Sequence, residues 1–149
     1  MSSNIEKFDR LAGKIFADLY ESFPIPLPMF PTDYISVVLK GEIYESVEDS
    51  GPDAVDAFGF FVATYEWLEK AGFIDVQTKM LDGTIEAVLT NKALEALKVL
   101  PESLSSKESL GDRLAQATRD GVTDQVRSLT GQVLGAGLRF GMNAWQSTF

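Results

Sequence analysis

Residues 58–90 change their apolar period once, and that change narrows the fold more than any other feature of the chain. Phe58, Phe61, Val62, Tyr65 and Leu68 recur at three- and four-residue steps within "AVDAFGFFVATYEWLEKAG", the period of a helix. Gly72 supplies a left-handed stop. Ile74, Val76, Thr78 and Met80 then alternate with Asp75, Gln77 and Lys79, the period of a strand. Asp82-Gly83 offers a tight turn before a second alternating run, Ile85, Ala87 and Leu89. Thr90 is placed to cap a further helix, "NKALEALKVL", ended by Pro101. A helix feeding a hairpin that feeds another helix is therefore expected over this stretch.

Upstream, Ile5, Phe8, Leu11, Ile15, Leu19 and Phe23 mark a first helix, for which Asn4 is the expected cap. Prolines at 24, 26, 28 and 31 fix φ and turn the chain out of that helix, which reads as a stiff connector. Tyr34, Val37, Val38, Ile43, Tyr44 and Val47 fit a second helix or a helix broken near Gly41, and the β-branched run among them leaves the element type open. "DSGPD" at 49–53 ends it, and Asp53 is the expected cap of the third helix. Downstream, Ser105 and Glu108 have capping-box spacing. Leu110, Leu114, Ala117, Gly121, Val126, Leu129, Val133 and Phe140 then follow a helical stripe that Gly121 divides in two. Glycines at 131, 135, 137 and 141 offer close approach to another backbone.

These elements make the chain mainly α with a small β-hairpin, an α+β fold. With 149 residues, 45% of them hydrophobic, there is material for one core. We expect a first domain at 1–101 and a C-terminal helical extension at 102–149. Charge divides the same way: residues 1–52 hold nine acids and four bases, 53–97 eight and three, 98–149 five and six. No arginine occurs between Arg10 and Arg113. That removes from the central region the side chain best suited to phosphate and guanine.

The chain has no His and no Cys, which excludes histidine bases, Ser-His and Cys-His nucleophile pairs, thiolate or imidazole metal sites, and disulfides. "GAGLRFG" at 135–141 places its last glycine one position late for a dinucleotide fingerprint, and no strand precedes it. The densest carboxylate group, Glu45, Glu48, Asp49, Asp53 and Asp56, lacks EF-hand spacing and reads as a solvated loop with a capping acid. We expect no catalytic residue, no metal and no cofactor. Charges at Glu6, Lys7, Asp9 and Arg10 interrupt any secretory core, and the expected location is cytoplasmic.

"WLEKAGFI" at 67–74, "DG" at 82–83 and "VLTNKALEAL" at 88–97 carry a resemblance to the winged helix-turn-helix superfamily, particularly regulators of the MarR and PadR type. The resemblance covers about residues 5 to 100, with the proline-rich insertion after the first helix as a departure from the usual trihelical unit. It implies a third helix that enters the major groove and a wing that touches the backbone. The residues at those positions argue against DNA: Asp53, Asp56, Glu66 and Glu69 stand against Lys70 in the third helix, and Asp75, Asp82 and Glu86 against Lys79 in the wing. On the same helix Phe60 and Trp67, seven residues apart, occupy the face where a regulator would present polar groups to bases.

The expected function is accordingly a non-enzymatic protein-interaction module, with Phe60, Trp67, Leu129, Val133 and Phe140 as its contact residues and the C-terminal helices covering the third helix. The partner is a protein or a second copy, with nucleic acid and membrane disfavoured. Two alternatives stay open: a dimeric DNA-binding regulator that uses Arg113, Arg119 and Arg127, and an acidic antitoxin or immunity-type inhibitor of a basic partner. For residues 104–149, packing within the chain or in a dimer, ordering on a partner, and lying on a membrane surface are the three readings.

Overall fold

The computed structural model describes the backbone of residues 3–38, 52–99 and 108–148, with side-chain surroundings for 3–38, 56–99 and 108–139. Along these residues run α1 (Asn4–Ser22), β1 (Leu27–Met29), α2 (Pro31–Val38), α3 (Pro52–Lys70), β2 (Ile74–Lys79), β3 (Ile85–Leu89), α4 (Asn91–Lys98), α5 (Leu110–Asp120) and α6 (Thr123–Thr148). The protein is mainly helical with a small antiparallel sheet, as its periodicities predict.

α1 is the central helix. Leu11, Ile15, Phe16 and Leu19 are fully buried, and α2, α3, α5 and α6 all pack on it. Its cap is Ser3 rather than Asn4: the Ser3 hydroxyl accepts the Glu6 amide at 3.2 Å, so the first orphan donor is satisfied one residue earlier than expected. The proline stretch does more than connect. Leu27–Met29 form a third strand on β3, with Leu27 opposite Ala87 and Met29 opposite Ile85, giving the strand order β1-β3-β2. Proline tolerates this position because β1 is an edge strand, where a residue without an N–H can face outward. α2 opens on Pro31, the first helical position, where the missing N–H has no partner to lose. Residues 39–51, including the rest of the expected second helix, lie outside the described residues. Pro52 is already helical, so Asp53 belongs to the first turn of α3 and not to its cap.

The junction after α3 is built as its sequence suggests. Gly72 sits at φ 84°, a conformation that costs a glycine nothing. The amides of Ala71, Gly72 and Phe73 meet the last carbonyls of α3, and the start of α4 meets the two carbonyls beyond them: the Thr90 hydroxyl donates to Gly72 O at 2.6 Å and accepts the Ala93 amide, while the Lys92 ammonium donates to Ala71 O and lies 4.4 Å from the Phe73 ring centre. Burial pushes the Lys92 pKa below its usual range.

The hairpin departs from expectation in two details. Val76 pairs with Ala87 and Thr78 with Glu86, leaving a bulge at Gln77 that reverses the alternation. Ile74, ahead of the bulge, is buried, whereas every residue from Gln77 to Met80 is exposed. The turn is a three-residue loop closed by Met80 N–H to Thr84 O at 2.9 Å, with Asp82 accepting the Thr84 amide and Gly83 at φ 90°.

α5 is capped by Ser109, whose hydroxyl accepts the Asp112 amide at 3.1 Å; Ser105 of the expected capping box lies outside the described residues. Gly121 ends α5 in the left-handed conformation, as its position implies. α6 then returns along α1, α4 and α5. Two glycines permit its approach. A Cβ on Gly13 of α1 would lie 2.6 Å from Val126, and one on Gly137 of α6 would overlap the Phe73 ring, which itself meets Phe16 edge-on at 5.7 Å. Gly131 and Gly135, in contrast, face open space. One buried cluster runs from Leu11 and Phe16 through Phe73 to Leu114, Val133 and Ala136, so the C-terminal extension shares the core of the rest. The boundary expected near Pro101 falls outside the described residues.

Candidate interaction face

α3 has two unlike sides. Ala57, Phe61, Thr64, Tyr65 and Leu68 point inward; Phe61 stacks on Tyr34 of α2 at 5.2 Å and meets Tyr65 edge-on at 5.3 Å. Thr64, buried among them, satisfies its hydroxyl by donating to Phe60 O at 2.7 Å. The outward side reads Asp56, Gly59, Phe60, Ala63, Trp67, Lys70, an apolar stripe with a charge at each end. Phe60 is partly buried, Ala63 is exposed, and Trp67 keeps 49% of its surface.

α1 completes this face. Phe8 meets the Trp67 ring edge-on at 5.3 Å and 83°, and Ile5, one turn earlier on the same side of α1, is 69% exposed. The aromatic is thus held on one flank and open on the other. Sequence reasoning missed Ile5 and Phe8 as surface residues because they extend the same apolar repeat as Leu11 and Ile15; periodicity cannot tell that the helix outruns the core.

Phe60 and Trp67 share a surface, but the other three expected contact residues do not join them. Leu129 and Val133 are buried where α6 packs, and the side chain of Phe140 lies outside the described residues. The expectation that the C-terminal helices cover the third helix is corrected in the same terms. α6 packs on α1, α4 and α5, and the ring against Trp67 comes from α1. A helical stripe fixes which residues face inward and leaves open which helix they meet.

The electrostatics around the face are acidic. Between residues 56 and 89, Asp56, Glu66, Glu69, Asp75, Asp82 and Glu86 stand against Lys70 and Lys79. Lys79 is held by Glu69 at 3.0 Å, and that hydrogen bond raises the lysine's pKa. Two of the basic residues considered for nucleic acid are engaged with α1: Arg119 bonds Glu21 at 2.7 Å, and Arg127 lies 3.8 Å from Glu6 and 4.0 Å from Asp9. The cleft of about 740 Å³ beside Arg127 carries both signs of charge, with Glu6 and Asp124 alongside Arg10 and Lys14.

A second apolar spot sits at the hairpin tip, where Met80 is 56% exposed and Leu81 is fully exposed. No three carboxylates gather in metal-binding geometry among the described residues, which exclude Glu45, Glu48 and Asp49. Among the described residues no helix is long and apolar enough to cross a membrane. Comparison with protein-family models, with curated proteins and with solved structures finds no match.

Proposed function

We propose that the chain is a non-enzymatic protein-interaction module on a winged-helix scaffold, and that its contact surface is the α1–α3 face. The observation that carries this reading is the half-exposed Trp67 braced by Phe8, with Ile5 and Ala63 open beside it. An indole in water on a rigid helix is the side-chain type that dominates binding energy at protein interfaces. The scaffold assignment draws support from the element order and from the β1-β3-β2 sheet, in which β2 and β3 serve as the wing. The acids along α3 and the wing disfavour a phosphate backbone, whose affinity depends on cationic neutralisation. The lack of His and Cys supports a binding role over a catalytic one.

In this reading the C-terminal helices act through α1. α6 packs along α1 and fixes the helix that presents Ile5 and Phe8. The test is sedimentation velocity of the fluorescently labelled chain, alone and in an extract of its source. Trp67→Asp should remove any fast-sedimenting species while leaving the circular dichroism spectrum unchanged. Identical profiles for the two proteins would contradict the proposal.

A further inference from the structure

We infer that the α1–α3 face pairs with a second copy of this chain, the two α3 helices lying antiparallel about a two-fold axis at Ala63. The inference rests on the interface reading above and names the occupant. Between residues 56 and 70, the exposed residues of α3 are Asp56, Gly59, Ala63, Trp67 and Lys70. Their spacings of 3, 4, 4 and 3 are the same read in either direction. An antiparallel copy centred on Ala63 therefore lays the stripe on itself. Asp56 meets Lys70 of the copy, Gly59 meets Trp67, and Ala63 meets Ala63, the self-complementary contact that a two-fold dimer requires.

Each meeting is complementary in charge or in size. At both ends of the contact the Asp56 carboxylate faces a lysine ammonium. A Cβ on Gly59 would find nothing within 4 Å, so the room an incoming indole needs is open there, with the Phe60 ring of the copy one residue along. Ala63 at the crossing lets the two helices come close. Glu66 falls level with Phe60 of the copy, and Glu69 is held by Lys79 at 3.0 Å, so no acid between 56 and 70 is set against another. A parallel pairing would do the reverse, placing Asp56 on Asp56, Trp67 on Trp67 and Lys70 on Lys70. Exposed ion pairs contribute little affinity, so the charges set the direction of the helices and the indole supplies the strength. With Phe60, Glu66, Ile5 and Phe8 beside the stripe, each copy contributes about nine residues, against the roughly 20–30 of a standard interface. The dimer should accordingly dissociate on dilution.

The test is sedimentation equilibrium of the full chain over a range of concentrations, in which the parent should pass from monomer to dimer. Asp56→Lys sets two ammonium groups together at each end of the contact, and Lys70→Asp sets two carboxylates together. Each should weaken the dimer about five- to tenfold, and the double exchange, which restores both pairs at unchanged net charge, should bring it back. Gly59→Leu fills the room for the indole and should leave a monomer at every concentration. Its melting temperature should equal or exceed the parent's, because the position touches nothing within the chain and leucine is the better helix former. A parent that stays monomeric at millimolar concentration would overturn the second copy as occupant; the interface reading is judged separately, by Trp67→Asp in the extract. A dimer indifferent to Gly59→Leu and to the charge exchanges would place the contact on another surface and overturn the inference. A dimer weakened by the single exchanges and not restored by the double one would overturn the antiparallel arrangement.

Discussion

Phe8 of α1 meets Trp67 of α3 edge-on at 5.3 Å, so the most exposed aromatic of the third helix is positioned by the first. α6 packs on α1, and α1 supplies the ring that meets Trp67.

Removing the brace should cost stability and loosen the indole. For Phe8→Ala we expect a loss of about 1–2 kcal/mol, less than for a fully buried phenylalanine, because Phe8 is only partly buried. Urea unfolding reads the first effect and acrylamide quenching the second. An unchanged midpoint together with unchanged quenching would refute the brace.

Two glycines of α6 should respond in opposite directions to the same substitution. Gly137→Ala drives a methyl into the Phe73 ring and should destabilise by about 1–3 kcal/mol. Gly135→Ala meets open space and should stabilise by about 0.5–1 kcal/mol through helix propensity. Thermal unfolding of the pair checks the order, and the reverse order would mean α6 is rotated from its described position.

Much of this was readable from local chemistry. Gly72, Asp82-Gly83 and Thr90 stand where their sequence placed them, because a left-handed stop, a turn and a cap are decided within a few residues. β1 was hidden by its prolines: "LPM" has no alternation to detect, and its strand exists only because β3 offers an edge. The bulge at Gln77 is a property of the pairing with β3 and leaves no mark in the sequence of β2 alone. Of the candidate site, Phe60 and Trp67 were visible as a second face on α3. Leu129 and Val133 belonged to the core, since an apolar stripe looks the same whether it packs within the chain or beyond it.

Tyr34 should make stability fall at alkaline pH. Its hydroxyl donates to Asp18 at 2.6 Å, and burial, with the Asp18 charge second, raises its pKa well above the ordinary 10.0. Above pH 10 the unfolded chain releases this proton while the folded chain keeps it. Stability is therefore intact below pH 10 and falls above it by up to about 1.4 kcal/mol per pH unit. Tyr34→Phe should be less stable at pH 8, by about 1–2 kcal/mol for the lost bond to a carboxylate, yet the gap to the parent should narrow above pH 10 and close between about pH 10.5 and 11.5. Tyr65 and Lys79 shift in both proteins and cancel in the comparison. A gap that stays constant from pH 8 to 11 would refute the account of Tyr34.

The claim that the α1–α3 face is the contact surface is tested most directly by site-specific photo-cross-linking in the source cell. A benzophenone amino acid is placed at Ala63, at the centre of the stripe, or at Gln132, on the exposed side of α6. The account predicts a discrete protein adduct from Ala63 that disappears when Trp67→Asp is added, and none from Gln132. Adducts from Gln132 alone, or an Ala63 adduct indifferent to Trp67, would contradict it.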